Sequence, residues 1–319
     1  MGLWDTAADK LALTRDRRAV ARRLAELDVA PTQTLRDEIE EWAAEHRDRL
    51  ALVSADGVER LSYEDLVGRA ARWARWCILH GVARGEPVAL LMANRPERVA
   101  AWLGVAASGA VAALLDPTVD GETLAAAIAI VAPRHVVVDG TLLPLFETAA
   151  PHLTSAAAVW VHGPHTMAYP RLDEALAELS PERLRPADRR PIAATDTALW
   201  IAGATGGATR LDHRRVIRRL HAAAAALGLT RDDRLHLPDL GLADPAAALA
   251  ACLAPTAGGV TVLTATSDEA LGPDATTTAR IEPGDPTIRI DRLRSHRGLL
   301  WRGDELRTAS GDLLWRDDA

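Results

Sequence analysis

The stretch from residue 87 to residue 139 constrains the fold most, because apolar strands and helix patterns alternate through it without a break. Pro87 to Met92 is apolar at every position, as expected of a strand in a parallel sheet covered on both faces. Asn94 then precedes Pro96, the order of a helix start with proline in its first turn, and this helix is predicted to run to about Ser108. Gly109 hands over to a strand from Val111 to Leu115. A helix over 122–131 and a strand from His135 to Asp139 complete the next unit. This alternation predicts an α/β fold of doubly wound sheets flanked by helices.

Upstream, residues 1–33 read as a separate helical extension. Leu13, Val20, Leu24 and Leu27 form its apolar side and Arg15, Arg17, Arg18, Arg22 and Arg23 its basic one, a face suited to docking on the domain, a partner or a membrane surface. Thr34 with Asp37 predicts a capping box at the next helix, to about His46. Leu50 to Val53 and Glu59 to Leu61 predict a hairpin turning at Asp56-Gly57. Ser62 with Asp65 caps a further helix that Gly81 ends. Residues 140–195 contain seven prolines from Pro144 to Pro191 and read as a connecting region. A helix over 213–227 stopped at Gly228, a strand at Leu235 to Leu237, a helix from Pro245 to Leu253 and a strand at Val260 to Thr264 follow. Strand-like text recurs at Thr287 to Ile290 and Gly298 to Trp301. The expected organisation is an extension (1–33), an α/β core (34–265) and a short β-rich remainder (266–319).

Composition excludes several function classes. The chain carries 37 basic and 44 acidic residues, a net charge of −7, so general attraction to nucleic acid is not expected. No apolar run approaches the roughly 20 residues that cross a bilayer, and Cys77 and Cys252 stand alone without metal-ligand spacing, so a cytoplasmic protein with buried thiols is expected. The histidines of HGPH (162–165) read as part of a loop. Lys10 is the only lysine in the 319 residues. Arginine cannot replace a lysine that must act as a compact ammonium charge.

The string TALWIAGATGGATRLDHRR (197–215) carries the chemistry. An apolar run enters Gly203, Thr205, Gly206 and Gly207 and leaves through a long basic helix, the arrangement that wraps backbone N–H groups around an anion. Arg210 is the nearest candidate cation. The pattern superficially resembles the glycine loop of short-chain NAD(P) reductases, but it comes late in the chain, and neither Tyr63 nor Tyr169 is followed by the lysine of that chemistry. Arg214, Arg215, Arg218 and Arg219 form like-charge pairs four residues apart on one helix, a face expected either to be solvated and paired with Asp232 and Asp233 or to meet an acidic partner or anionic ligand.

LSYEDLVGRAARWARWC (61–77), GVARGEPVALLMANRPERVAAWLGVAASGAVAALLDP (81–117), the loop, and HRRVIRRLHAAAAALGLTRDDRLHLP (213–238) together resemble the N-terminal domain of the acyl-CoA synthetase superfamily of adenylate-forming enzymes, nearest its fatty-acid-transport-protein and very-long-chain branch. In that family the loop reads close to TSGTTG, followed by a proline, a lysine and then a histidine at the next helix. Here Ile201, Ala202 and Ala204 replace much of its hydroxyl-bearing half. WRGDELRTASGDLLWRDDA (301–319) resembles the family's GDLL segment, whose aspartate holds the ribose of ATP; Asp312 is the matching residue. The family's C-terminal lid domain, which brings the adenylation lysine, has no counterpart up to Ala319, nor has its Thr-Glu magnesium motif. The resemblance implies ATP or AMP with Mg²⁺ as cofactor, held by Gly203, Thr205, Gly206, Gly207, Arg210 and Asp312. The departures imply a truncated, degenerate acyl-CoA synthetase that acts by binding an acyl-pathway enzyme or a full-length acyl-CoA synthetase, or an acyl or nucleotide ligand. The alternative is a minimal or split ligase completed by a partner chain. Uncovered surface is expected to favour homo-oligomers.

Overall fold

The computed structural model describes residues 3–28, 32–54, 56–153, 156–165, 169–202, 208–237, 245–263, 276–281, 288–292, 297–302 and 304–317. Helices α1 (Leu3–Leu27) and α2 (Leu35–His46) lead to the hairpin β1 (Leu50–Ser54) and β2 (Arg60–Ser62), then to α3 (Tyr63–Leu79). The alternating stretch follows as β3 (Pro87–Leu91), α4 (Pro96–Ala107), β4 (Val111–Leu114), α5 (Gly121–Val131) and β5 (His135–Asp139). Next come α6 (Leu143–Ala149), β6 (Ala158–His162), α7 (Leu172–Ala177), β7 (Thr197–Ala202), β8 (Ala208–Asp212) and α8 (His213–Leu227). The chain continues through β9 (Arg234–Leu237), α9 (Pro245–Ala250) and β10 (Val260–Leu263). It closes with β11 (Thr277–Ile281), β12 (Ile288–Arg292), β13 (Arg297–Arg302), β14 (Glu305–Thr308) and β15 (Leu313–Arg316).

Local chemistry sets many of these boundaries. Thr34 donates from its amide and hydroxyl to Asp37 Oδ2 at 2.9 and 2.6 Å, and Ser62 does the same to Asp65. Gly57, Gly81 and Gly228 each take a positive φ where a hairpin turns or a helix stops.

Two sheets result. One has the order β6-β5-β3-β4-β7-β8, parallel except for β8, which pairs antiparallel with β7. The other has the order β15-β14-β13-β12-β11-β9-β10-β1-β2, parallel across β11, β9, β10 and β1 and antiparallel elsewhere. Val88 and Leu90 of β3 face a core that also holds residues of α3, α4, α8 and the nine-stranded sheet, whereas Ala89 and Leu91 face a second core under α5 and α6. The all-apolar character of β3 thus reflects burial on both sides. No described helix is long and apolar enough to cross a membrane.

Two departures from the expected layout concern strands. The proline-rich region 140–195 is not only connecting text: it supplies β6, which extends the sheet beyond β5. The strands after residue 276 continue the sheet of β1, β9 and β10 through the parallel pairing of β11 with β9.

Helix α4 lies buried along its whole length between the sheets. Its crossing with α3 depends on Gly104, where an added Cβ would stand 2.5 Å from both the Ala70 carbonyl oxygen and the Trp73 Cβ. The Gly104→Ala variant should therefore lose about 2 to 3 kcal/mol in urea unfolding with an unchanged denaturant slope. Parental stability in that variant would contradict the close crossing.

Candidate functional site

Strand β7 ends at Ala202 and antiparallel β8 begins at Ala208 at the carboxyl edge of the six-stranded sheet, the edge at which open α/β sheets bind ligands. The cradle residues Gly203, Thr205, Gly206 and Gly207 lie outside the described residues. Arg210 is described, and its guanidinium lies 3.8 Å above the Trp200 ring. With Trp200 it lines a groove shared with Arg84, Gly85, Val111, Asp196 and Thr197, at the opposite end of β7 from the loop. Asp312 stands in the turn between β14 and β15. Its Oδ2 accepts from the Ser310 hydroxyl at 3.0 Å and its amide donates to Thr308 Oγ1 at 3.0 Å. Arg210 and Asp312 belong to different sheets, and no contact among the described residues joins them.

His213, matched by the resemblance to the family histidine, opens α8 and is fully buried. Its Nδ1 accepts from the Leu35 amide at 3.2 Å, a bond that ties α8 to the first turn of α2. Burial pushes the imidazole down to about 4, so it is neutral near pH 7.

The arginines of α8 find partners other than those expected. Arg214 and Arg218 share Asp28 Oδ1 at 2.9 and 2.6 Å. Arg215 and Arg219 share Asp317 Oδ2 at 3.1 and 2.9 Å, and Arg219 also bonds Asp304. Asp233 instead accepts from Thr230, and Asp232 approaches Arg49 at 3.9 Å.

A polar network at the carboxyl ends of β3, β5 and β6 was not anticipated. Glu97, in the first turn of α4, accepts from Trp73 Nε1 at 2.7 Å and from Arg69 Nη1 at 2.6 Å. His162 Nε2 lies 3.6 Å from the same carboxylate. Arg95 reaches His162 Nδ1 at 2.9 Å and Asp139 Oδ2 at 2.6 Å. Burial opposes the ionisation of Glu97, but His162, Arg69 and Trp73 outweigh it and hold the carboxyl down at about 2. Arg69, Trp73, Glu97, His162 and Asp173 line a cavity of about 220 Å³ there. Only its signature is visible in sequence: charged residues placed where apolar strands end. His162 therefore ends a strand instead of lying in a loop, while His165 bonds the Gly163 and Tyr169 carbonyls.

The α/β architecture, with parallel sheets flanked by helices, is that of the N-terminal domain of adenylate-forming enzymes. Residues 39–288 match the AMP-binding enzyme family, and the chain belongs to it. It is 32% identical over 183 residues to long-chain fatty acid transport protein 6 of Mus musculus, covering 55% of this chain and 29% of the mouse protein. It is likewise 32% identical over 152 residues to the 3-hydroxybenzoate–CoA ligase of Aromatoleum sp. (strain CIB), covering 47% of this chain and 28% of that ligase. A benzoate CoA ligase structure from Burkholderia xenovorans LB400 shares the fold at a TM-score of 0.63 and 18% identity, over 73% of this chain and 45% of that one. The chain thus spans under a third of the length of these curated relatives.

Family membership implies use of ATP or AMP, typically with Mg²⁺. Of the residues matched to that group, Arg210 lines the groove beside Thr197, and the exposed Asp312 accepts from Ser310 within its turn. No set of three His, Cys, Asp or Glu side chains among the described residues could hold a metal ion.

His213 gives a pH test with a defined sign. Below its ordinary value of 6.5 the unfolded imidazole takes a proton that the folded one refuses until about pH 4. Its contribution is therefore complete above 6.5 and falls as pH drops toward 4, by roughly 2 to 3 kcal/mol. His213→Gln, which keeps an acceptor for Leu35, should lose less stability than the parent between pH 7 and pH 4.5 in urea unfolding. Equal losses in both proteins would refute the assignment.

Proposed function

We propose that this acyl-CoA-synthetase-like chain is catalytically impaired and acts by binding. The carrying observation is the placement of Arg210, the cation nearest the loop in sequence, which stacks on Trp200 and lines a groove with Arg84, Asp196 and Thr197. Adenylation needs cations and oriented donors around the phosphates, and their joint loss costs several kcal/mol per group. Lys10 as the sole lysine and the altered loop point the same way. Its partners in this reading are an acyl-pathway enzyme, a full-length acyl-CoA synthetase or a second copy of the chain, or its ligand is an acyl or nucleotide group held without turnover. A cytoplasmic setting agrees with the two buried free thiols.

The sole lysine also favours a second reading, a split ligase whose missing groups come from another chain. One experiment separates the two. Acyl-AMP formation is measured with the protein alone and mixed with full-length acyl-CoA synthetases, beside thermal unfolding with Mg-ATP, AMP, CoA and a stable acyl-adenylate analogue. A ligand at 100 times its Kd stabilises by about 2.7 kcal/mol, a shift of a few degrees. We expect no product from the chain alone and no added rate on mixing, with complex formation or a thermal shift. Turnover by the chain alone overturns the proposal, and rate gained only on mixing supports the split enzyme.

A further inference from the structure

A groove of about 370 Å³ lies at the amino ends of three parallel strands, with Gly85 just before β3, Val111 opening β4 and Thr197 opening β7. Arg210 forms one wall. It is exposed, and no hydrogen bond or ion pair to another described residue neutralises its charge. The Trp200 face beneath it, 3.8 Å away, packs against the guanidinium, so less side-chain freedom remains to be lost when its N–H fork meets a ligand. Arg84 forms another wall. Its Nε and Nη2 hold Asp196 at 2.8 Å each, and its Nη1 makes no hydrogen bond among the described residues. Two guanidinium groups and one carboxylate leave the lining with an excess positive charge in a chain whose net charge is −7.

We propose that this groove binds a small oxyanion, a carboxylate or phosphate group, between Arg210 and Arg84. Planar forks of N–H donors match the oxygens of such groups in pairs. The groove opens at the Thr197 end of β7, whereas the glycine string follows the other end of that strand, Ala202, in sequence. It requires neither nucleotide binding nor turnover, and its failure leaves the preceding proposal untouched.

The test is calorimetric titration of the full chain with inorganic phosphate and, separately, acetate at constant ionic strength, because exposed charges are screened by salt. Saturable binding of at least one anion with a Kd of about 1 mM is expected, equivalent to about −4 kcal/mol. Arg210→Gln should weaken it at least tenfold without lowering the melting temperature. Asp196→Asn releases Arg84 and should tighten it several-fold, a gain that a structural role for Arg84 would not produce. Absence of saturable binding for both anions overturns the proposal, as does unchanged affinity in Arg210→Gln. Affinity lost in Thr205→Val but kept in Arg210→Gln would instead put the anion on the loop.

Discussion

Complete burial of α4 between the two sheets is the constraint on which the rest of the structure depends. A helix with no solvent-facing side must accept neighbours at backbone distance, and at the α3 crossing only a residue without a Cβ leaves room, which is the role of Gly104. The same burial governs the charges in its first turn. Glu97 and Arg98 are each only 5% exposed, so water cannot satisfy them. Glu97 takes Arg69 and Trp73 from α3, and Arg98 donates to Asn94 Oδ1 at 2.7 Å. Removing one partner of such a buried carboxylate typically costs 3–5 kcal/mol, roughly what a large core truncation costs. The network at the carboxyl edge is thus first a condition of burying α4, and the cavity beside it follows from that packing.

Helix α8 solves a different electrostatic problem. Four arginines on one helix repel in pairs four residues apart, and each pair is bridged by one aspartate: Asp28 for Arg214 and Arg218, Asp317 for Arg215 and Arg219. Asp28 follows the end of α1 and Asp317 follows β15, so the repulsion is relieved by groups just after the first helix and the last described strand. The consequence is architectural. The guanidinium of Arg219, fully buried, ties the last strand of the nine-stranded sheet to the helix that begins after the loop, and α1 is held along the same helix.

Local signals explain which features could be read from sequence. Capping at Thr34 and Ser62, left-handed glycines at 57, 81 and 228, and the doubly apolar strand β3 depend on residues within a few positions of one another. Strand β6 escaped although Ala156 to Val161 is a continuous apolar run, because it lies among Pro151, Pro164 and Pro170 and forms the sheet edge, where Ala158 is exposed and Trp160 half-buried. Strands β11, β14 and β15 escaped for a related reason. Each mixes arginine or acidic residues with buried positions such as Ala279, Leu306 and Leu314, which become intelligible only with the pairing partners in place. The α8 ion pairs span some 100 to 190 residues of sequence, beyond any local pattern. The glycine string and its position after an apolar strand were legible; the direction of Arg210 was not, because it depends on the register between two strands.

The register between β7 and β8 decides which way position 210 points. In β8, Ala208 pairs with Ala202, Thr209 with Ile201 and Arg210 with Trp200. Side chains alternate faces along a strand, so position 210 shares a face with Trp200, which packs in the core under α5 and α6, while Ile201 and Leu211 face the core between the sheets. Any residue at 210 is therefore directed along the α5–α6 side of the sheet, where the indole of Trp200 offers its face to a guanidinium. Residues 203–207 themselves contain no cationic side chain. The pairing of β7 with β8 thus directs the side-chain charge of Arg210 into the groove that Asp196 and Thr197 also line.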